Sequence, residues 1–396
     1  MIKYRTMDVF EKNPNLGFYE FGGQKYFNKL NALLAAGANG WPTWHFNDHV
    51  YDRLDWSMDP AIDIEELYRL RAKQLREKYD YLVLFFSGGA DSSTVMRSFV
   101  DNNLHLDEVV IGHPESGMSN WVNVRDADPR FTASEYELCA KPQLENLRIT
   151  SPNTKITVND YFNDMITTYR SDEWIMSARD YMHPSFVSRY SKKNLAHIKA
   201  ICESGKSVAF IYGIDKPRLA IIDGKYHCYF LDIIANTATW DIDDYPNAKT
   251  EYFYWTPDLP EIAVKQAHCV SNWLNHPKNS KFQRLLKWPP EDFKEQAQLK
   301  SIFERAVREP LYPKWDFDLF QTYKSLAGFT AEQDYWFFKQ HQNTHIYDTW
   351  KAGVDHLIRL IDSKWLQKDA QGQIQGLKGF ISKMRYITDV KIQQGT

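Results

Sequence analysis

Cysteine is scarce and scattered: the chain has four, Cys139, Cys202, Cys228 and Cys269, with no C-x-x-C pair among them. That spacing argues against a structural zinc set and against a disulfide framework. Long hydrophobic runs are missing as well. No segment reaches membrane-spanning length, and the opening MIKYRTMDVFEKN carries no apolar signal core, so the expected compartment is cytoplasmic, with no membrane partner. Nor does charge of one sign dominate. Lys and Arg number 48 against 51 Asp and Glu, a formal net charge of −3, which supplies no global pull towards nucleic acid but leaves a local basic groove open. Repeats and low-complexity tracts are absent. What is plentiful is aromatic: 13 Trp, 23 Tyr and 23 Phe, spread through the chain in a way that suits core packing better than a row of base-stacking residues. The 396 residues exceed one ordinary core and suggest about two or three domains.

Residues 81–100, YLVLFFSGGADSSTVMRSFV, organise the rest. An unbroken apolar run, 81–86, is expected to be a strand buried on both faces of a parallel sheet. The chain then turns through Ser87-Gly88-Gly89-Ala90 into a segment with Val95, Met96, Phe99 and Val100 at helical spacing. Strand, glycine turn and helix make an anion site, because glycines let backbone amides approach an oxyanion and the helix N-terminus favours negative charge. Ser87, Ser92 and Ser93 add hydroxyls, and Asp91 adds a carboxylate suited to a divalent cation. Three common nucleotide or nucleophile signatures do not fit. The turn has no Walker lysine, no G-x-G-x-x-G and no G-x-S-x-G.

Around this stretch the chain divides into three expected parts. Residues 1–58 form a small N-terminal α+β layer: a hairpin turning at Gly22-Gly23, then a short helix ending near Gly37. His45 and His49 lie four apart, the spacing of a metal pair on a helix, although Pro42 and Asn47-Asp48 favour a loop. Residues 59–250 form the α/β core, opened by a helix capped at Asp59-Pro60. Further buried strands are expected at 107–112 (DEVVIG), 155–158 and 207–212 (SVAFIY), with 113–150 irregular, a helix through Phe162 and Tyr169, a mixed acceptor-or-surface stretch at 172–189, and a hairpin turning at Asp223-Gly224. His113 and Glu115, just past the second strand, are placed to reach a substrate or simply to build a turn. Residues 251–396 are expected to be all helical, ending in a solvated basic tail around Lys378, Lys383, Arg385 and Lys391.

A second turn, Gly213-Ile214-Asp215-Lys216-Pro217-Arg218, follows an inner strand and should face the same sheet edge as Ser87–Ser93. Asp215 is placed to share a cation with Asp91, and Lys216 and Arg218 to neutralise phosphate charge. The alternative is a charged turn in solvent.

The motif S-G-G-x-D-S in its strand–turn–helix context resembles the pyrophosphate loop of the N-type ATP pyrophosphatases, over roughly residues 60–235. The overall order looks most like the synthetase domain of asparagine synthetase. The resemblance implies a Rossmann-like sheet of the HUP type with flanking helices. It also implies ATP and Mg²⁺ as cofactors, with Ser87, Gly88, Gly89, Ala90, Ser92 and Ser93 around pyrophosphate. Val110, Ile111 and Gly112 would neighbour adenine, Gly213 and Arg218 would lie across the phosphates, Asp91 and Asp215 would serve as metal ligands, and Asp91, Asp215 and Lys216 would act in catalysis. In asparagine synthetase-like members an Asp-Glu follows the corresponding inner strand, where this chain has Asp215-Lys216, so the role of each is less securely carried over. A glutaminase domain would need Cys directly after the initiator Met and far more than 58 residues. Position 2 is Ile2, so ammonia or a free amine is the expected nitrogen donor.

The implied activity is an AMP-forming ligase: ATP is split to AMP and pyrophosphate to activate a carboxylate or carbonyl oxygen for attack by an amine or ammonia. A weaker likeness to stand-alone pyrophosphate-loop proteins of tailed phages extends the acceptor to nucleotides or nucleic acid. Two other readings stand beside it. One is sulfur transfer or adenylyl-sulfate reduction, against which the missing cysteine pair counts. The other is a non-catalytic nucleotide-binding scaffold.

Overall fold

Strands without polar alternation need cover on both faces, and the apolar run at 81–85 sits in the middle of a five-stranded sheet. The structure, a computed structural model, describes residues 17–27, 29–113, 115–118, 132–160, 195–232, 245, 247–289, 297–320, 343, 345–368 and 374–391. The expected helix through Phe162 and Tyr169, the stretch 172–189 and residues 332–342 of the expected helical C-terminal region lie outside the described residues.

In chain order, β1 (Phe18–Phe21) and β2 (Gln24–Tyr26) pair across Gly22 and Gly23, whose φ angles of 60° and 75° are those of a tight hairpin turn. Helix α1 (Lys29–Ala36) ends at Gly37, and β3 (Thr43–His45) completes a three-stranded sheet with β1. Helix α2 (Ile64–Lys78) leads into β4 (Tyr81–Phe85), α3 (Ala90–Val100) and β5 (Glu108–Gly112). Then come α4 (Lys141–Thr150), β6 (Lys155–Asn159), α5 (Ala196–Glu203) and β7 (Val208–Tyr212). The hairpin β8 (Arg218–Ile222) and β9 (Lys225–Tyr229) precedes β10 (Ala248–Tyr252), which runs across the expected boundary at residue 250. Beyond it lie α6 (Glu261–Leu274), α7 (Ala297–Ala306), α8 (His345–Leu360), the small hairpin of β11 (Leu366–Lys368) and β12 (Ile374–Leu377), and β13 (Arg385–Asp389).

The central order is β10-β7-β4-β5-β6, and every neighbouring pair is parallel. This is a Rossmann-like α/β architecture. From β4 the chain moves outward through β5 and β6, then returns to lay β7 on the other side. The sheet therefore switches direction between β4 and β7, the place where open α/β sheets bind ligands at the strands' carboxyl ends. Phe85 is level with Tyr212, their rings stacked at 4.8 Å, so both turns of interest leave from one edge.

Four expectations need correction. The helix after Asp59-Pro60 begins later, at Ile64, because Lys265 of α6 binds both the Asp59 carboxylate and the Pro60 carbonyl at 2.9 Å. The stretch 113–150, expected to be a long loop or a weakly helical insertion, contains a regular helix of 10 residues at 141–150, with Pro142 in the first turn where its missing N–H costs nothing. The fifth parallel strand, β10, was not expected, since its sequence AKTEY has no apolar run. Glu251 is buried there only because Arg71 and Lys78 of α2 neutralise it at 2.7 and 2.9 Å. Finally, the C-terminal region is not all helical. Its basic tail contains β13, paired with β9, in which Arg385 is buried against Asp48 and Asp52 at 2.8 Å each.

The aromatic residues do the packing expected of them. Phe46, Tyr51 and Trp56 of the N-terminal layer meet Phe230, 5.0 Å from both Phe46 and Tyr51, and Phe46 also meets Trp255. No disulfide joins any of the four cysteines. Among the described residues, no helix is long and apolar enough to cross a membrane.

Candidate functional site

The turn after β4 is built by two glycines with different tasks. Gly88 has φ of +81°, a left-handed conformation, and a Cβ there would come within 2.8 Å of the Ala140 Cβ. Gly89 is extended and takes the N-cap position of α3. Gly88→Ala is therefore expected to lower unfolding free energy by about 1–2 kcal/mol from backbone strain alone, with the clash adding to it. A urea midpoint equal to wild type would show that the turn does not need this conformation.

The serines hold the turn from inside. Ser92 Oγ accepts from the Ser87 backbone N–H and lies 3.2 Å from Ser87 Oγ, while donating to the Gly89 carbonyl. Ser93 Oγ donates to Gln143 at 2.7 Å. Ala90, Ser92 and Ser93 are buried, whereas Ser87 is exposed. The first backbone N–H groups of α3 have no partners within the helix, which leaves an anion cradle at this end.

The second turn meets the first directly. Gly213 passes so close to α3 that a Cβ on it would lie 3.0 Å from the Asp91 carbonyl carbon and the Ser92 nitrogen. That approach brings Lys216 Nζ to 3.2 Å from Asp91 Oδ1 and 3.6 Å from Asp215 Oδ1. Arg218 binds the other Asp215 oxygen at 3.3 Å and Glu304 of α7 at 3.4 Å. The result is a line of alternating charge, Asp91, Lys216, Asp215, Arg218, Glu304. Burial alone would lower the Lys216 pKa, but Asp91, Asp215 and Glu304 outweigh it and hold the ammonium above the ordinary lysine value. For Glu304 burial works upward, and Arg218 and then Lys216 more than cancel it, so its carboxylate is held below the usual range.

Two tyrosines, remote in sequence, close the site. Tyr312 donates its hydroxyl to Asp91 Oδ1, and Tyr254 donates to the Asp91 carbonyl oxygen at 2.7 Å. Burial foremost, with Asp91 adding to it, pushes the Tyr312 phenol far above its normal pKa, so it stays a donor. Tyr254 is fixed in turn by the strand end, since the backbone N–H groups of Tyr254 and Trp255 both donate to the Ile214 carbonyl at 3.1 Å.

At the neighbouring strand end, Val110 and Ile111 are sheet core, and the Val110 carbonyl accepts from Phe86 N–H. Gly112 ends β5 level with Asn159, at the same carboxyl edge. His113 follows it, buried and stacked on Tyr136 with centroids 4.0 Å apart. Burial depresses its pKa to about 4, so the ring is neutral at pH 7. Glu115 is exposed in a one-turn helix, Glu115–Met118. The His45 and His49 pair is not brought together as metal ligands: His45 ends β3, stacked on Phe18 and bonded to Asp48.

A divalent cation fits this site on the chemistry of its donors. Asp91 and Asp215 already bracket one positive charge, the Lys216 ammonium, and their carboxylates are oxygen donors of the kind Mg²⁺ prefers. Among the described residues there is no group of three or more His, Cys, Asp or Glu that would hold a metal by protein ligands alone.

Tyr254, Glu304, Tyr312, Cys139 and Gln143 were not anticipated from the sequence. Pro142, which lies in a stretch read as irregular, could have signalled a helix start beside Cys139 and Gln143. No protein-family model and no curated protein matches the chain.

Proposed function

We propose that the chain is an ATP-dependent adenylating ligase of the N-type ATP pyrophosphatase kind, with a HUP-type core followed by a largely helical C-terminal region, working in the cytoplasm. The observation that carries the reading is the meeting of two turns across the β4–β7 switch point, which puts Asp91 and Asp215 on either side of Lys216 beside a glycine–serine anion cradle.

In this reading pyrophosphate lies on the Gly88–Gly89 turn and the start of α3, with adenine near Gly112 at the end of β5. Asp91 and Asp215 would hold Mg²⁺, which would neutralise phosphate charge. The acceptor oxygen attacks the α-phosphorus; its bond to phosphorus forms as the bond to the bridging oxygen breaks, and that oxygen leaves with the electron pair on pyrophosphate. Lys216, charged at neutral pH, turns from Asp91 towards the oxygens on which charge grows. A carboxylate acceptor is already nucleophilic, so the first step calls for no general base. An amine or ammonia then attacks the activated carbon, AMP departs with the C–O electron pair, and the amine's surplus proton passes to water. The acceptor class includes small carboxylates and nucleobase carbonyls.

The direct test uses ATP labelled at the α-phosphate, Mg²⁺ and pooled candidate acceptors with ammonia. Labelled AMP with pyrophosphate is the expected product pair; ADP would refute the reading. Lys216→Ala is expected to lower kcat by about 10²-fold with little change in the Kd for ATP, and a defect confined to binding would contradict its assigned role.

A further inference from the structure

The Gly88–Gly89 peptide is gripped from behind. Its carbonyl oxygen accepts from Gln143 Nε2 at 2.9 Å and from Cys139 Sγ at 3.1 Å; Ser93 Oγ lies 3.3 Å away, but its single proton goes to the nearer Gln143 Oε1. A carbonyl has two lone pairs, so these two donors fill it and fix its direction. Gln143 is itself fully occupied. Its Oε1 accepts from Ser93 at 2.7 Å and its Nε2 also donates to the Cys139 carbonyl at 3.1 Å. Reversing the carboxamide would set its oxygen against two carbonyls, so this orientation is chemically determined.

In a trans peptide the N–H points opposite to the C=O. Turning the Gly88 oxygen towards Gln143 therefore turns the Gly89 N–H to the far face of the loop. There it makes only a long contact, 3.4 Å to Ser87 Oγ, at the limit of hydrogen bonding. A donor held so firmly and used so weakly is suited to an incoming anion. The gripping residues come from one continuous strap, the π-helical turn Tyr136–Ala140 and the first turn of α4. At one end of the strap Tyr136 stacks on His113 at the exit of β5; at the other, Ala140 packs on Gly88 where no Cβ would fit.

We propose that Gln143 is a positioning residue for the anion cradle: its carboxamide aims the Gly88–Gly89 peptide so that the Gly89 N–H faces the departing pyrophosphate. The proposal rests on the nucleotide reading given above. Because the grip acts on the pyrophosphate end alone, it governs binding of pyrophosphate without governing binding of AMP, which a general structural role would not do.

Three variants grade the effect. Gln143→Glu keeps length and the acceptor for Ser93 but offers no N–H and sets an oxygen against Gly88 O. Gln143→Met keeps volume and loses all three carboxamide bonds. Cys139→Ala removes the weaker thiol donor alone. Calorimetric titration with inorganic pyrophosphate in Mg²⁺, and separately with AMP, is run on each alongside thermal melting. The two Gln143 variants are expected to bind pyrophosphate about tenfold more weakly and Cys139→Ala about twofold, while AMP affinity stays within about twofold of wild type. Either Gln143 variant that melts as a folded protein suffices. If wild type binds pyrophosphate and the Gln143 variants bind it equally well, the proposal fails and the nucleotide reading stands. Equal weakening of pyrophosphate and AMP would make Gln143 merely structural and also overturn it. If wild type binds no pyrophosphate, the nucleotide reading fails and takes the proposal with it.

Discussion

Asp91→Asn is expected to reduce formation of AMP and pyrophosphate by about 10²–10³-fold, the scale on which removal of a central electrostatic group is felt in a preorganised site. The carboxylate is the point on which Lys216 and Tyr312 converge, from opposite ends of the chain's α/β and C-terminal parts. Replacing it by an amide of the same shape removes the charge and keeps the fold. Tyr254 binds the Asp91 backbone carbonyl, which the substitution leaves in place, and Lys216 retains Asp215 at 3.6 Å. Melting near the wild-type temperature together with lost turnover is the expected pair of results. Asp101→Asn, beyond the last turn of the same helix, is the control and should change turnover by no more than about twofold, as surface substitutions usually do. Full activity in Asp91→Asn would remove this cluster from any catalytic account.

Asp232→Ala is expected to have the largest effect on stability, a loss of about 3–5 kcal/mol, because it takes the counter-charge from a buried ammonium. Asp232 and Lys29 have side-chain exposures of 0% and 3%, and their charges meet at 2.8 Å. The same carboxylate accepts from Tyr19 of β1 and from the Phe380 backbone N–H, each at 2.7 Å. One side chain thus ties the N-terminal layer, the segment after β9 and the C-terminal segment together. Urea unfolding measures the loss. Replacing both partners by apolar residues, Lys29→Met with Asp232→Leu, should recover most of it, since a buried pair exchanged for apolar packing is often close to neutral. A double variant as unstable as Asp232→Ala would mean that the hydrogen bonds of Asp232 matter more than its charge.

What was legible in the sequence is what local pattern encodes. Residues 81–85, 108–112 and 208–212 form strands where their apolar runs predicted them, because a strand covered on both faces is predominantly apolar. Gly22-Gly23 and Asp223-Gly224 make the expected turns because their positive φ angles suit glycine and, at Asp223, a short polar side chain. The Ser87–Ser93 loop was recognisable for the same reason: its chemistry depends on residues adjacent in the chain.

The tertiary structure decided whatever depends on partners far away. β10 became a strand of the central sheet although it holds Thr250 and Glu251, because Arg71 and Lys78 of α2 compensate the buried charge. β13 joined β9 although it reads as a basic tail, because Asp48 and Asp52 receive Arg385. The site follows the same division. Asp91, Asp215 and Lys216 could be named from two turns, but only the parallel order of β4 and β7 sets those turns against each other. Tyr254 and Tyr312 lie 163 and 221 residues from Asp91, whose backbone carbonyl and carboxylate they respectively bind. No local period marks such residues, since their role is fixed by where the fold returns the chain. The sequence by itself therefore determined the apolar strands, the turns and the glycine–serine loop, whose causes are local steric and hydrophobic preferences. The closure of the loop by Gln143, Tyr254 and Tyr312 was decided by long-range packing, because hydrogen-bond direction and buried charge depend on three-dimensional neighbours.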